Sequence, residues 1–374
     1  LHRRARVAQL EAQAVSAPTS STPARAHPIG AQLAALVAAV VAGYVFSRLR
    51  TPIPWMLGPL CTVAALRVAG APVLAPRGAR QAGQWVIGTA LGLYFTPQVV
   101  REVAGWWPLL VAGALFAIVV GYGAGLALSS LARIDRTTGI FASVPGGAAE
   151  MSVLGERFGA RVDRVAAAQS LRILIVVIVV PAAYALTGLH GADIYVPGTT
   201  LFSPAGFPLL MLATAVGGVA ATWIGVPNPF VLGSLAVAIP LTASEINLSA
   251  MPTLATNAGQ CLLGCALGSR FQPDFLRGAP RFVAAVTLTV AATIVVSAVF
   301  GVALARLSGL HPATLVLGTA PGGIAEMCIT AKVLQLGVPL VTAFHVTRVV
   351  VLLLATAPLF SRVRAWRRER LDDD

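Results

Sequence analysis

Charge is scarce in this sequence. Of 374 residues, 27 are Lys or Arg and 14 are Asp or Glu, 11% of the chain together, against about 25% in an average soluble domain. That deficit excludes disorder and argues against an ordinary soluble enzyme, because a soluble fold of this length needs a polar coat that the chain cannot supply. Lysine is nearly missing, with Lys332 the single example. Histidine is sparse: His2, His27, His190, His311 and His345 are far apart, and no His-x3–5-His pair or carboxylate–His cluster offers a copper, iron or zinc site. We therefore expect no metal and no cofactor. The four cysteines, Cys61, Cys261, Cys265 and Cys328, form no CxxC and read as apolar filler. The net charge of +13 comes almost wholly from arginine. With no zinc-finger spacing and no basic face on a polar helix, it does not point to nucleic acid.

What the chain has is hydrophobic length. Residues 194–244, 103–132 and 282–305 contain no Asp, Glu, Lys or Arg, and a bilayer-spanning helix needs about 20 apolar residues. The chain thus reads as an all-α integral membrane protein whose main partner is the lipid bilayer. Residues 1–29 are rich in Arg, Ala, Ser and Pro without an apolar core. They read as a disordered cytoplasmic tail, not a cleavable signal peptide.

The chain also repeats itself. Pro145-Gly146-Gly147-Ala148-Ala149-Glu150-Met151 returns 176 residues later as Pro321-Gly322-Gly323-Ile324-Ala325-Glu326-Met327. At the same offset Arg172 meets Arg348, and residues 83–97 match 259–273 at eight of fifteen positions. Upstream, at an offset of 175, Pro52, Pro54, Leu57 and Gly58 meet Pro227, Pro229, Leu232 and Gly233. Two membrane repeats follow, 30–190 and 205–362, joined by an external linker at 191–204 and ending in a cytoplasmic tail at 363–374. Each holds six apolar segments. The fifth carries the Pro-Gly-Gly break, which removes helix hydrogen bonds. Broken backbone at membrane depth is tolerated only inside protein or beside water, so segment five reads as a broken or re-entrant helix.

Arginine placement orients this scheme. If each repeat crosses five times and segment five returns to its starting side, 20 basic residues fall inside and five outside, as the positive-inside rule asks. An odd number of crossings inverts one repeat relative to the other, the plan of many secondary transporters. Arg48 and Arg50 are the main discordance.

Ionisable groups at membrane depth are functional hypotheses by default. Arg172 and Arg348 read as grips for an anionic solute, with Gly146, Gly147, Gly322 and Gly323 contributing backbone donors at the broken helix ends. Glu150, Glu326 and His345 read as proton-coupling groups or, in the blander alternative, the glutamates as ion-pair partners of the arginines. Gln169 and His345 each stand three residues before an arginine, on the same helix face. Gln84 and Gln260 read as interhelical hydrogen bonds, and Asn228, between two prolines, as a helix cap. No catalytic residues emerge, and self-association is left open.

The duplicated Pro-Gly-Gly-x-Ala-Glu-Met signature and the paired Gly-Gln-x3-Gly-x-Ala-Leu-Gly blocks resemble the bacterial AbrB membrane-protein family, distinct from the small DNA-binding regulator of the same name. The resemblance spans about residues 30–362. It implies a multi-pass inner-membrane protein of a family linked to regulation of gene expression and also labelled an ammonia monooxygenase. It carries no established site residues. The leading expectation is a transporter-like protein for a small anion. A non-transporting membrane regulator is the alternative, and a membrane oxygenase stands behind both for want of metal ligands.

Overall fold

A computed structural model describes residues 29–191, 195–271, 279–352 and 354–355. Among them every regular element is a helix. The first half supplies α1 (Ile29–Arg48), α2 (Pro54–Val68), α3 (Ala79–Gly92), α4 (Pro97–Gly105), α5 (Trp107–Ala132), α6 (Arg136–Ser143), α7 (Ala148–Arg157) and α8 (Val162–Thr187). The second supplies α9 (Gly206–Trp223), α10 (Pro229–Ala243), α11 (Thr253–Gly268), α12 (Pro280–Ser308), α13 (Pro312–Thr319), α14 (Ile324–Val333) and α15 (Val338–Leu352). The expected tails lie outside the described residues, apart from Ile29, which opens α1.

Five helices, α1, α5, α8, α9 and α12, are long and apolar enough to cross a bilayer. They are flanked by shorter apolar helices whose side chains are more completely enclosed. In α1, Val37 and Val41 are more than half exposed, while Met56, Leu60 and Val63 of α2 are fully buried. Apolar surface without protein cover is what lipid solvates, so α1 belongs to the rim and α2 to the interior.

The duplication is visible helix by helix. α10 begins and ends 175 residues after α2; α13 and α14 begin and end 176 residues after α6 and α7. The residues equivalent to α4 are 273–281, of which 273–278 lie outside the described residues. Packing between the halves is reciprocal. Gly88 of α3 lies against Val231 and Ser234 of α10, and its counterpart Gly264 of α11 lies against Met56 and Pro59 of α2, the counterparts of Val231 and Ser234. Gly268 sits against Val63 as Gly92 sits against Ala238. Gly83 and Gly259, themselves equivalent, meet where α3 crosses α11. Glycines at these crossings let backbones approach within a distance any side chain would forbid.

The equivalent long helices α5 and α12 run antiparallel. Arg281 Nε, at the start of α12, donates to Leu131 O at the end of α5 over 2.8 Å. Farther along, Phe116 and Phe300 stack with ring centroids 3.7 Å apart.

The broken segment is present in both halves. Gly125 and Gly121 of α5 face Ile140 and then Val144 and Pro145, so α6 descends along α5 and the break lies opposite the middle of that spanning helix. After α7 the chain comes back to where it began: Arg161 N–H donates to Thr138 Oγ1 over 2.8 Å. The second half repeats the closure, with Gly337 N–H on Thr314 Oγ1 at 3.4 Å. Each α6–α7 and α13–α14 pair is thus a hairpin that enters and leaves at one level.

Candidate functional site

The hairpin tips explain the repeated heptapeptide residue by residue. The proline ends the incoming helix. The first glycine has no side chain because the methionine four places from the motif's own break fills that space: Met151 packs on Gly146 and Met327 on Gly322. The second glycine is bare because the glutamate folds back over it; a Cβ on Gly147 or Gly323 would collide with Glu150 or Glu326. Gly147 also has φ +98, a conformation that side chains rarely adopt. Glu150 and Glu326 each occupy the first turn of the outgoing helix, where a carboxylate sits at the positive end of the helix dipole.

The two arginines are tied to the breaks from the neighbouring helix. Arg348, 4% exposed on α15, donates to Ala320 O at 2.8 Å and Gly322 O at 2.6 Å. Arg172, 5% exposed on α8, makes the equivalent but longer bond to Val144 O at 3.3 Å. Each arginine keeps a buried Nε without a partner. Below each, the residue three places earlier secures the incoming helix. Gln169 Nε2 donates to Phe141 O and Val144 O. His345 Nε2 stands 3.2 Å from Leu317 O, the counterpart of Phe141 O.

Both tips open on one cavity. Arg172 and Arg348 line it together with Gly147, Gly322, Gly323 and Glu326. Its volume of about 50 Å³ has room for a few waters or a small ionic group. The N-termini of α7 and α14 contribute Ala148 and Ile324 to the same wall, so two helix ends with free N–H groups face the space from opposite halves.

Of the candidate residues, Arg172, Arg348, Gly147, Gly322, Gly323 and Glu326 line the cavity. Gly146 is turned to Met151. Glu150 lies behind the wall: its Oε1 accepts from Asn228 N–H at 3.2 Å, and its buried Oε2 has no partner. His345 is fully buried against its own half's hairpin, outside the cavity lining. The ion-pair alternative meets a different geometry. Among the described residues, no nitrogen of Arg172 or Arg348 comes within 4.0 Å of a carboxylate; the ion pairs found join Asp163 to Arg161 and Arg164. Backbone carbonyls freed by the helix breaks take the place of the expected carboxylates.

Two features escaped sequence reasoning. Arg80, one of the 20 basic residues that the orientation scheme places inside, sits in the first turn of α3 and lines the cavity, donating through Nη2 to Asn228 Oδ1 at 3.0 Å. Its spacing of four from Gln84 was the available signal. Gln84 Nε2 donates to the same oxygen at 3.2 Å, an interhelical bond of the expected kind. Asn228 itself does not cap α10 through its side chain; it gathers Arg80, Gln84 and Glu150 instead. We expect Asn228→Ala to lower stability by about 2–4 kcal/mol, from a lost charge-assisted bond and the cost of placing alanine at φ +46. Asn228→Asp should stay near the parent. Equal melting temperatures for the two variants would contradict this role.

No three His, Cys, Asp or Glu side chains gather into a metal-holding group among the described residues. What fold and site define is a duplicated helical membrane protein with paired broken hairpins around a buried, arginine-lined cavity. The profile of the AbrB family, described as transition state regulatory protein AbrB, matches residues 55–364, and the chain belongs to that family. It is 26% identical over 356 residues to "Uncharacterized protein YhjN" of Bacillus subtilis (strain 168), covering 88% of this chain and 92% of the relative. It is 24% identical over 322 residues to "Putative regulator AbrB" of Escherichia coli (strain K12), covering 85% and 91%.

Proposed function

We propose that this protein moves a small anionic solute across the bacterial inner membrane, with its two repeats inverted in the bilayer and both termini cytoplasmic. One observation carries the reading: two buried arginines, one from each half, share a mid-depth cavity with two helix N-termini. Holding charge there is costly, and anion binding uses all four elements at once. The reciprocal helix contacts and the antiparallel α5 and α12 support inversion, since equivalent helices related by an axis along the membrane normal would run parallel. Glu326, in the cavity wall, is the better placed of the proton-coupling candidates. Glu150 stands one shell farther out, and His345 serves as a strut.

Two measurements test this. Cysteines introduced at Glu156 and Glu245, both exposed, should label with an impermeant thiol reagent from opposite faces; labelling from one face would end the inverted arrangement. Proteoliposomes screened with labelled inorganic anions and carboxylates, with and without a proton gradient, should accumulate at least one of them. The name of the Escherichia coli relative, "Putative regulator AbrB", favours a second reading, a membrane regulator that does not transport. A folded protein that takes up none of the anions would select it.

A further inference from the structure

Beside the small cavity lies a much larger opening, lined chiefly by α7 and α8 of the first half with Arg270 and Phe271 of the second. It has a volume of about 690 Å³, within the range of pockets that hold organic ligands. It shares Ala148, at the N-terminus of α7, with the arginine-lined cavity. From there it runs between α7 and α8 to Val162 and Asp163, at the level where Arg161 closes the hairpin.

The equivalent positions in the second half are more enclosed, and their side chains differ. Where the first half has Ala148, Ser152, Ala166 and Ser170 on its walls, the second has Ile324, Cys328, Thr342 and Val346. Arg270, which flanks the opening, has Tyr94 as its counterpart. Burial follows: Val153 and Val162 are 56% and 38% exposed, while Ile329 and Val338 are 3% and 0%. The linker closes that side further, with Gly191 N–H on Leu334 O and Tyr195 packed on Gly337. Equivalent copies are therefore enclosed unequally, with Ala148, Ala166 and Ser170 smaller than their counterparts Ile324, Thr342 and Val346.

We propose that the anion is a carboxylate with an apolar body, its charged group in the arginine-lined cavity and its body in this vestibule. The proposal rests on the anion reading above and names its class of substrate. The cavity has room for a small charged group. The walls next to it are mostly Ala, Val and Phe with two serine hydroxyls; Arg270 sets a positive charge at their edge, and Asp163, which pairs with Arg161 and Arg164, lies at the far end.

Titration of the full-length protein in lipid nanodiscs tests it, using acetate, butyrate and hexanoate, with chloride, phosphate and hexanol alongside. Affinity should rise about two- to fourfold per added methylene, and hexanol should not bind. Filling the vestibule with the second half's residues, Ala166→Thr with Ser170→Val, should remove the chain-length gain and leave acetate within twofold. Arg172→Gln should abolish binding of every carboxylate. Equal affinity for acetate and hexanoate in the parent protein overturns the vestibule and leaves the anion site standing. Hexanol binding as tightly as hexanoate also overturns it. Failure of every anion, inorganic ones included, removes the anion reading and this proposal with it.

Discussion

Arg172→Gln should lose at least about 100-fold in uptake with little change in melting temperature, whereas Arg348→Gln should lose both transport and stability. The two arginines are equivalent in sequence and unequal in bonding. Arg348 satisfies two carbonyls of its hairpin tip at 2.8 and 2.6 Å. At about 1.5–3 kcal/mol for each bond to a charged donor, its loss costs about 3–6 kcal/mol. Arg172 has one longer bond, to Val144 O at 3.3 Å, and so more of its donor capacity is free for a ligand. A second change, Glu326→Gln, should not rescue Arg348→Gln, because no ion pair joins the two side chains in the described structure. Uptake and thermal unfolding of the purified variants decide the matter. Undiminished uptake by both single variants in folded form would dispose of the anion site, and a rescue by Glu326→Gln would reinstate the ion pair.

The second large effect concerns glycines where the halves meet. A side chain at Gly264 would run into the Met56 carbonyl, and one at Gly88 into Ser234 and the Val231 carbonyl. A backbone oxygen cannot rotate aside as a side chain can, so either helix pair would have to separate. Gly88→Val and Gly264→Val should each destabilise by about 3 kcal/mol or more, the upper end of overpacking costs, and shift the protein from a monodisperse peak to aggregate on size exclusion. Gly123, in α5, faces open space. Gly123→Ala should be neutral or stabilise by up to about 1 kcal/mol through helix propensity. Equal tolerance at all three positions would contradict the reciprocal packing.

These expectations draw unevenly on the sequence. The hairpin breaks were legible because Pro-Gly-Gly inside an apolar run leaves a helix few options, and the duplication marked them as equivalent. The spanning helices α5, α9 and α12 were legible from their long uncharged runs, whereas α8 carries Asp163, Arg164 and Arg172 and was legible from its apolar content; α2 and α10 begin at Pro54 and Pro229, a pair that the duplication aligned. The arginines' partners were not legible. Sequence displays carboxylates and hides carbonyls, and here the acceptors are Val144 O, Ala320 O and Gly322 O. Arg80 was hidden by loop counting, which credits an arginine to whichever side its segment borders and ignores where its long side chain reaches. The amphipathic α4, with only Val99 and Val103 buried, lay in a stretch too short and too mixed for a membrane segment. The vestibule could have been read by aligning the halves and asking where small residues oppose large ones, but only once α7 and α8 were known to share a wall.

The exchange of partners between halves also dictates an order of assembly. α2 and α3 receive their mates, α11 and α10, only after residues 229–268 have been made, which at about 5–20 residues per second is a wait of about 10 to 35 s. During that interval the first half stands in the bilayer with its glycine-lined faces bare. In water such a delay invites clumping. In hydrocarbon no solvent force drives bare faces together, so the unfinished half can remain dispersed in lipid until the helices that complete it arrive.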